Sequence, residues 1–118
     1  MPGYKAARNQ LRDAGIDEVL IYCVNDAAVM EAWAKDQKIA GTNITFFADT
    51  SCELTKALDL KLTAGGPMRD LGNTRCKRFA LIVDKGVIKH VGVSETADDP
   101  AGDEDNSAST AAGMLAAM

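Results

Sequence analysis

The chain has 118 residues, enough for at most one domain. With 47% hydrophobic and 25% charged residues it has the composition of a globular chain, which excludes disorder throughout. A net charge of −4 argues against binding a phosphate backbone, and no apolar run is long enough to span a bilayer, so neither nucleic acid nor a membrane is an expected partner.

The N-terminus lacks the charged-then-apolar pattern of a secretory signal. Cys23, Cys52 and Cys76 are odd in number and irregularly spaced. That points away from a disulfide framework and toward a reducing compartment, so the cytoplasm is the expected location, with an organelle as the alternative. There is no C-x-x-C pair, and His90 stands alone, so neither a zinc site nor any other cofactor is expected.

Pro2 to Ala14 reads as a helix. Proline suits its first turn, Tyr4, Ala7, Leu11 and Ala14 recur at helical spacing, and Gly15 is a natural terminator. Asp17 to Val24 reads as a strand whose near-continuous apolar run predicts burial on both faces. Asn25 or Asp26 can cap a helix running to about Lys38, with Val29, Met30 and Trp33 as its apolar stripe. The junction between such a strand and helix is where α/β proteins usually place their chemistry. After a break at Gly41, Ile44 to Phe47 is a short strand. Thr50 or Ser51 then starts a short helix through Leu58.

Lys61 to Arg75 reads as irregular, with Gly65-Gly66-Pro67 at its centre. Arg78–Val83 and Val87–Val93 flank Asp84-Lys85-Gly86, a strong hairpin signal. Residues 95–106 form an acidic surface loop without the regular alternation of ligands that a calcium-binding loop needs. Ser107 to Met118 is helical again, with Ala111, Met114, Leu115 and Met118 as its apolar side. The order α β α β α β β α predicts an α/β chain: a central mixed sheet flanked by helices, as in the second half of a thioredoxin-like fold.

Four stretches carry a family resemblance. They are Val24 to Gln37 (V-N-D-x-x-V-M-x-A-W-A-K-D-Q), Pro2-Gly3-Tyr4, Phe47-Ala48-Asp49, and Cys76 to Lys89 (C-K-R-F-A-L-I-V-D-K-G-V-I-K). Together with the closing helix, they resemble the type II (peroxiredoxin-5-like) peroxiredoxins, which are thiol peroxidases. In that family a P-x-x-[TS]-x-x-C motif precedes P-G-[YF] and carries the peroxidatic cysteine. The helix N-terminus and an arginine hold that cysteine as thiolate.

None of the three cysteines stands in that motif's place. The resemblance therefore implies that residues 1–118 are a single partial domain, the C-terminal two-thirds of a peroxiredoxin, with no peroxide turnover of its own. It assigns Arg78 as the catalytic arginine; without the resemblance, Arg78 reads as a solvated strand-end charge. It implies a hydroperoxide substrate, a homodimer, and glutaredoxin or thioredoxin as reductant, because no C-terminal resolving cysteine is present. The alternative is a non-catalytic thioredoxin-like binding or dimerisation module.

The remaining thiols rest on local reasoning. Cys23, at the end of an apolar strand, reads as buried and inert. Cys52, in the first turn of a short helix, reads as incidental. Cys76 is the local candidate for a redox-sensitive thiol. Arg75, Lys77 and Arg78 would favour its thiolate if they converged on it, and strand alternation would point Cys76 and Arg78 the same way. A structural role explains His90.

Overall fold

A computed structural model describes residues 1–63 and 65–118, with the side chains of residues 67, 68 and 71 outside the description. The chain opens with two short helices, α1 (Pro2–Ala6) and α2 (Arg8–Asp13), where the sequence predicts one. The break falls at Ala7, whose ψ of 7° leaves the helical range, and Leu11 of α2 is buried.

Strand β1 (Val19–Cys23) pairs in parallel with β2 (Ile44–Ala48), Val19 opposite Ile44 and Cys23 opposite Ala48. One face of this pair makes the core. Val19 and Ile44 pack with Leu11 of α2, and Tyr4, Ile21, Phe46 and Leu115 close around them. The other face is open. Leu20 is 58% exposed and Phe47 49%, so the predicted burial of β1 on both faces does not hold.

Between the strands runs α3 (Ala27–Gln37). Asp26 caps it, accepting from the Val29 N–H at 2.8 Å, and Lys38 ends it in a left-handed conformation. Met30 is buried and Trp33 packs on Phe46 with ring centroids 4.7 Å apart, but Val29 of the predicted stripe faces outward.

Helix α4 (Glu53–Ala57) follows β2. Neither Thr50 nor Ser51 caps it. Cys52 turns through a φ of 60°, and this brings the Asp49 carboxylate under the N–H groups of Leu54 and Thr55 at 3.2 and 2.9 Å. A second departure is α5 (Gly65–Leu71), inside the stretch read as irregular. Pro67 lies in its first turn, where a missing N–H breaks no helical bond. Ala64, in the same stretch, lies outside the described residues.

The hairpin forms as expected from β3 (Phe79–Asp84) and β4 (Val87–Val93), antiparallel, with Lys85 and Gly86 both at positive φ in the turn. A bulge interrupts the register between Ile82 and Val83. A 3₁₀ turn at Ser107–Ser109 and helix α6 (Ala111–Ala116) complete the chain; Thr110 caps α6 through the Gly113 N–H.

The four strands do not make the central mixed sheet that the sequence predicts. They form two separate ladders, β1–β2 and β3–β4. A further strand between β1 and β3 would be needed to hydrogen-bond both, and among the described residues none takes that place. Side chains span the junction instead. Tyr22 and Phe79 stack obliquely with centroids 5.6 Å apart, and the Arg75 guanidinium donates to the Val24 carbonyl at 2.7 Å.

Candidate functional site

Arg78 stands immediately before β3, and the Ser94 N–H donates to its carbonyl at 2.9 Å, which anchors its backbone to the end of β4. Its side chain is about half exposed, and its Nη2 lies 3.1 Å from the Asp103 carboxylate. Burial first, and the Arg78 charge second, hold the Met1 amine below its ordinary value. Tyr4 fixes this end of α1, its hydroxyl donating to the Ser109 carbonyl at 2.7 Å, and the Ser109 hydroxyl in turn meets that of Ser94 at 2.8 Å. Arg78, the start of α1 and the 3₁₀ turn are thus tied into one corner of the molecule.

The acidic loop borders that corner, and it is more ordered than a solvated loop. Asp99 is buried at its centre. Its carboxylate accepts from the N–H groups of Asp103, Glu104 and Asp105 at 2.9, 2.9 and 3.3 Å. Burial alone would raise the Asp99 pKa. These three donors, helped by the Arg78 charge, hold it below the usual carboxylate range instead. Gly102 takes a φ of 68° against the Ser94 carbonyl, where a Cβ would overlap the oxygen. Sequence reasoning passed over Asp99; the Asp-Pro-Ala-Gly run around it was the available signal, since Asp favours such self-bonded turns.

The basic side chains around Cys76 do not converge on it. Arg75 reaches Val24, Lys77 pairs with Glu95 at 3.1 Å, and Arg78 turns to Asp103. Cys76 lies outside β3, in an isolated bridge with Lys61, so the alternation that would align it with Arg78 does not extend to it. Its thiol sits half-buried near the Val24 N–H. Burial pushes its pKa up, and that backbone donor only partly opposes the rise. The expected activation of Cys76 is therefore corrected: its surroundings favour the thiol.

Burial also raises the Cys23 thiol, with nearby Cys76 adding to the effect and Arg75 opposing it. Cys23 is half-buried rather than buried, and Cys52 is only 3% exposed. No hydrogen bond links any of the three to Arg78. Among the described residues no cluster of His, Cys, Asp or Glu is arranged to hold a metal ion, and no helix is long and apolar enough to cross a membrane.

Comparison with known proteins defines the class. The redoxin family profile matches residues 1–111, so the chain belongs to the redoxin family. Its relatives within that family are the type II peroxiredoxins. Peroxiredoxin-2E of Arabidopsis thaliana, a chloroplastic protein, is 36% identical over 95 residues, which are 80% of this chain and 40% of that protein. Peroxiredoxin-2E-2 of Oryza sativa, also chloroplastic, is 32% identical over 80% of this chain and 42% of its own length.

Solved structures agree in fold. Reduced Prx3 of Vibrio vulnificus in complex with hydrogen peroxide superposes with a TM-score of 0.79 at 36% identity, covering 99% of this chain and 68% of that one. Peroxiredoxin 5 of Alvinella pompejana gives 0.67 at 31% identity, covering 86% and 61%. The chain thus has the α/β, thioredoxin-like peroxiredoxin fold, and it spans about two-fifths of the length of these curated plant relatives.

Proposed function

We propose that this chain is the arginine-bearing part of a thiol-dependent peroxidase. Hydroperoxides are the substrate class, and glutaredoxin or thioredoxin the reductant. In the reaction a thiolate attacks one peroxide oxygen, the O–O bond breaks, and the departing alkoxide or hydroxide takes up a proton. Thiolate, hydroperoxide and proton thus give sulfenic acid and an alcohol or water, and two reducing equivalents from the partner restore the thiol. Arg78 stabilises the thiolate and the charge on the separating oxygens. One observation carries this reading: the hydrogen bonds Tyr4–Ser109, Ser109–Ser94 and Ser94–Arg78 tie Arg78 to α1, the helix of the Pro2-Gly3-Tyr4 motif. The peroxide-bound Vibrio structure, which matches nearly the whole chain, supports the substrate class. For location we retain the cytoplasm as the proposal, although relatives are named for the chloroplast and the peroxisomal membrane.

No thiol of the chain is bonded to Arg78, and burial raises two of the three, Cys23 and Cys76. We therefore propose that these 118 residues alone turn over no peroxide. Stopped-flow mixing with hydrogen peroxide is expected to oxidise the thiols no faster than free cysteine. Millisecond oxidation of any of them would overturn this reading.

A second reading, a non-catalytic binding or dimerisation module, is favoured by the outward apolar residues of β4, Val87, Ile88 and Val91, which are 55%, 44% and 47% exposed. A stable dimer in sedimentation, lost when Val87 and Val91 are changed to Lys, would support it.

A further inference from the structure

We propose that Asp103 is an internal counter-ion for Arg78, so that an anionic group can engage the guanidinium fully only by displacing this carboxylate. The proposal deepens the peroxidase reading and rests on it, because it concerns how the arginine of that site is held.

Three observations carry the proposal. First, the contact is direct: Arg78 Nη2 lies 3.1 Å from Asp103 Oδ1. Second, the carboxylate is delivered by a built loop rather than by a wandering side chain. The Asp103 N–H is held by buried Asp99 at 2.9 Å, and the Gly102 N–H donates to the Asp99 carbonyl at 3.2 Å. Thr96 and Asp99 exchange backbone bonds at 3.0 and 3.2 Å, and Gly102 is seated against Ser94, the residue whose N–H donates to the Arg78 carbonyl. The loop and the arginine therefore share one anchor. Third, competing charges are already committed. Glu95 is paired with Lys77, and the Asp99 carboxylate is occupied by three backbone donors, so it acts on Arg78 only at longer range. Asp103 is thus the acid bonded to Arg78, and its other side faces solvent, open to exchange.

In this arrangement Asp103 is a positioning residue. It steadies the guanidinium when no ligand is present and weakens the binding of anions there. An exposed ion pair has a small energy, so the effect on affinity is about two- to fivefold.

Sulfate, a small oxyanion, serves as the probe. It is titrated into the 118-residue chain at constant ionic strength, and the Arg78 Nε–H and the Asp103–Asp105 amides are followed by NMR. Asp103→Asn is expected to tighten sulfate binding about two- to fivefold. Asp103→Glu, which restores the charge, is expected to bind as the parent does, and Arg78→Gln to lose the Arg78-dependent binding. Equal affinity in Asp103→Asn and the parent, with loss in Arg78→Gln, overturns the counter-ion role and leaves Arg78 as the anion receptor. Unchanged binding in Arg78→Gln overturns the role of Arg78 itself, and with it the peroxidase reading. The Asp103 side chain is 74% exposed, so neither of its replacements threatens folding.

Discussion

Thr55 is fully buried, and its single hydroxyl proton decides the direction of a short polar chain. That hydroxyl donates to the Asp49 carboxylate at 2.8 Å, so it accepts from the Tyr22 hydroxyl, 2.9 Å away. Tyr22 is held protonated, chiefly by burial. Thr55→Val would leave a phenol and a carboxylate each short of a partner, and it is expected to cost about 1–3 kcal/mol in urea unfolding. Burial alone would raise Asp49, but the N–H and hydroxyl of Thr55, with the Leu54 N–H, hold it below the ordinary carboxylate value. A carboxylate depressed in the folded state stabilises fully above its unfolded pKa of about 3.9, and the contribution is lost as pH falls through the folded value. Urea midpoints should therefore drop more steeply below about pH 4 in the parent than in Asp49→Asn. The capping role of Asp49 was not legible in the sequence. Thr50 and Ser51 are the nearer capping residues, and only the left-handed turn at Cys52 carries the chain back over Asp49.

Elements set by local pattern were legible in the sequence. The apolar runs gave β1, β2 and the hairpin, and Asp26 was one of the two residues named as cap for α3. Helix α5 was hidden because Gly65-Gly66-Pro67 has the composition of a breaker, yet its residues fall in a first turn that tolerates them. Strand β4 hides a further constraint. A Cβ on Gly92 would overlap the Ala108 carbonyl oxygen, so the 3₁₀ turn lies almost on the strand backbone. Gly92→Ala is expected to push that turn away, lowering stability by about 1–3 kcal/mol in thermal unfolding and loosening the Tyr4–Ser109 bond. Asp99→Asn keeps the shape but removes the charge that three N–H groups share. Faster amide exchange at Asp103 to Asp105 is the expected result, and unchanged exchange would show that the loop holds without it.

Across the whole molecule, the family was legible because its motifs are local runs of sequence. That β1 and β3 lie in separate ladders was not legible, since a sheet is assembled from distant segments and the run at Val19–Cys23 looks the same whether its neighbour is bonded or not. The edges of β1 and β3 that face each other carry unpaired backbone groups, a recognised route to association. Sedimentation over a range of concentrations should show self-association, and a strictly monomeric species throughout would count against it. The oblique contact of Tyr22 with Phe79 has a dynamic counterpart. Because side chains rather than a shared ladder connect the two strand pairs, either pair can open while the other keeps its backbone bonds. The molecule should then behave as two cooperative folding units, with native-state exchange resolving into two opening energies. One common value for all four strands would mean that the aromatic bridge and its neighbours couple them as strongly as a continuous sheet.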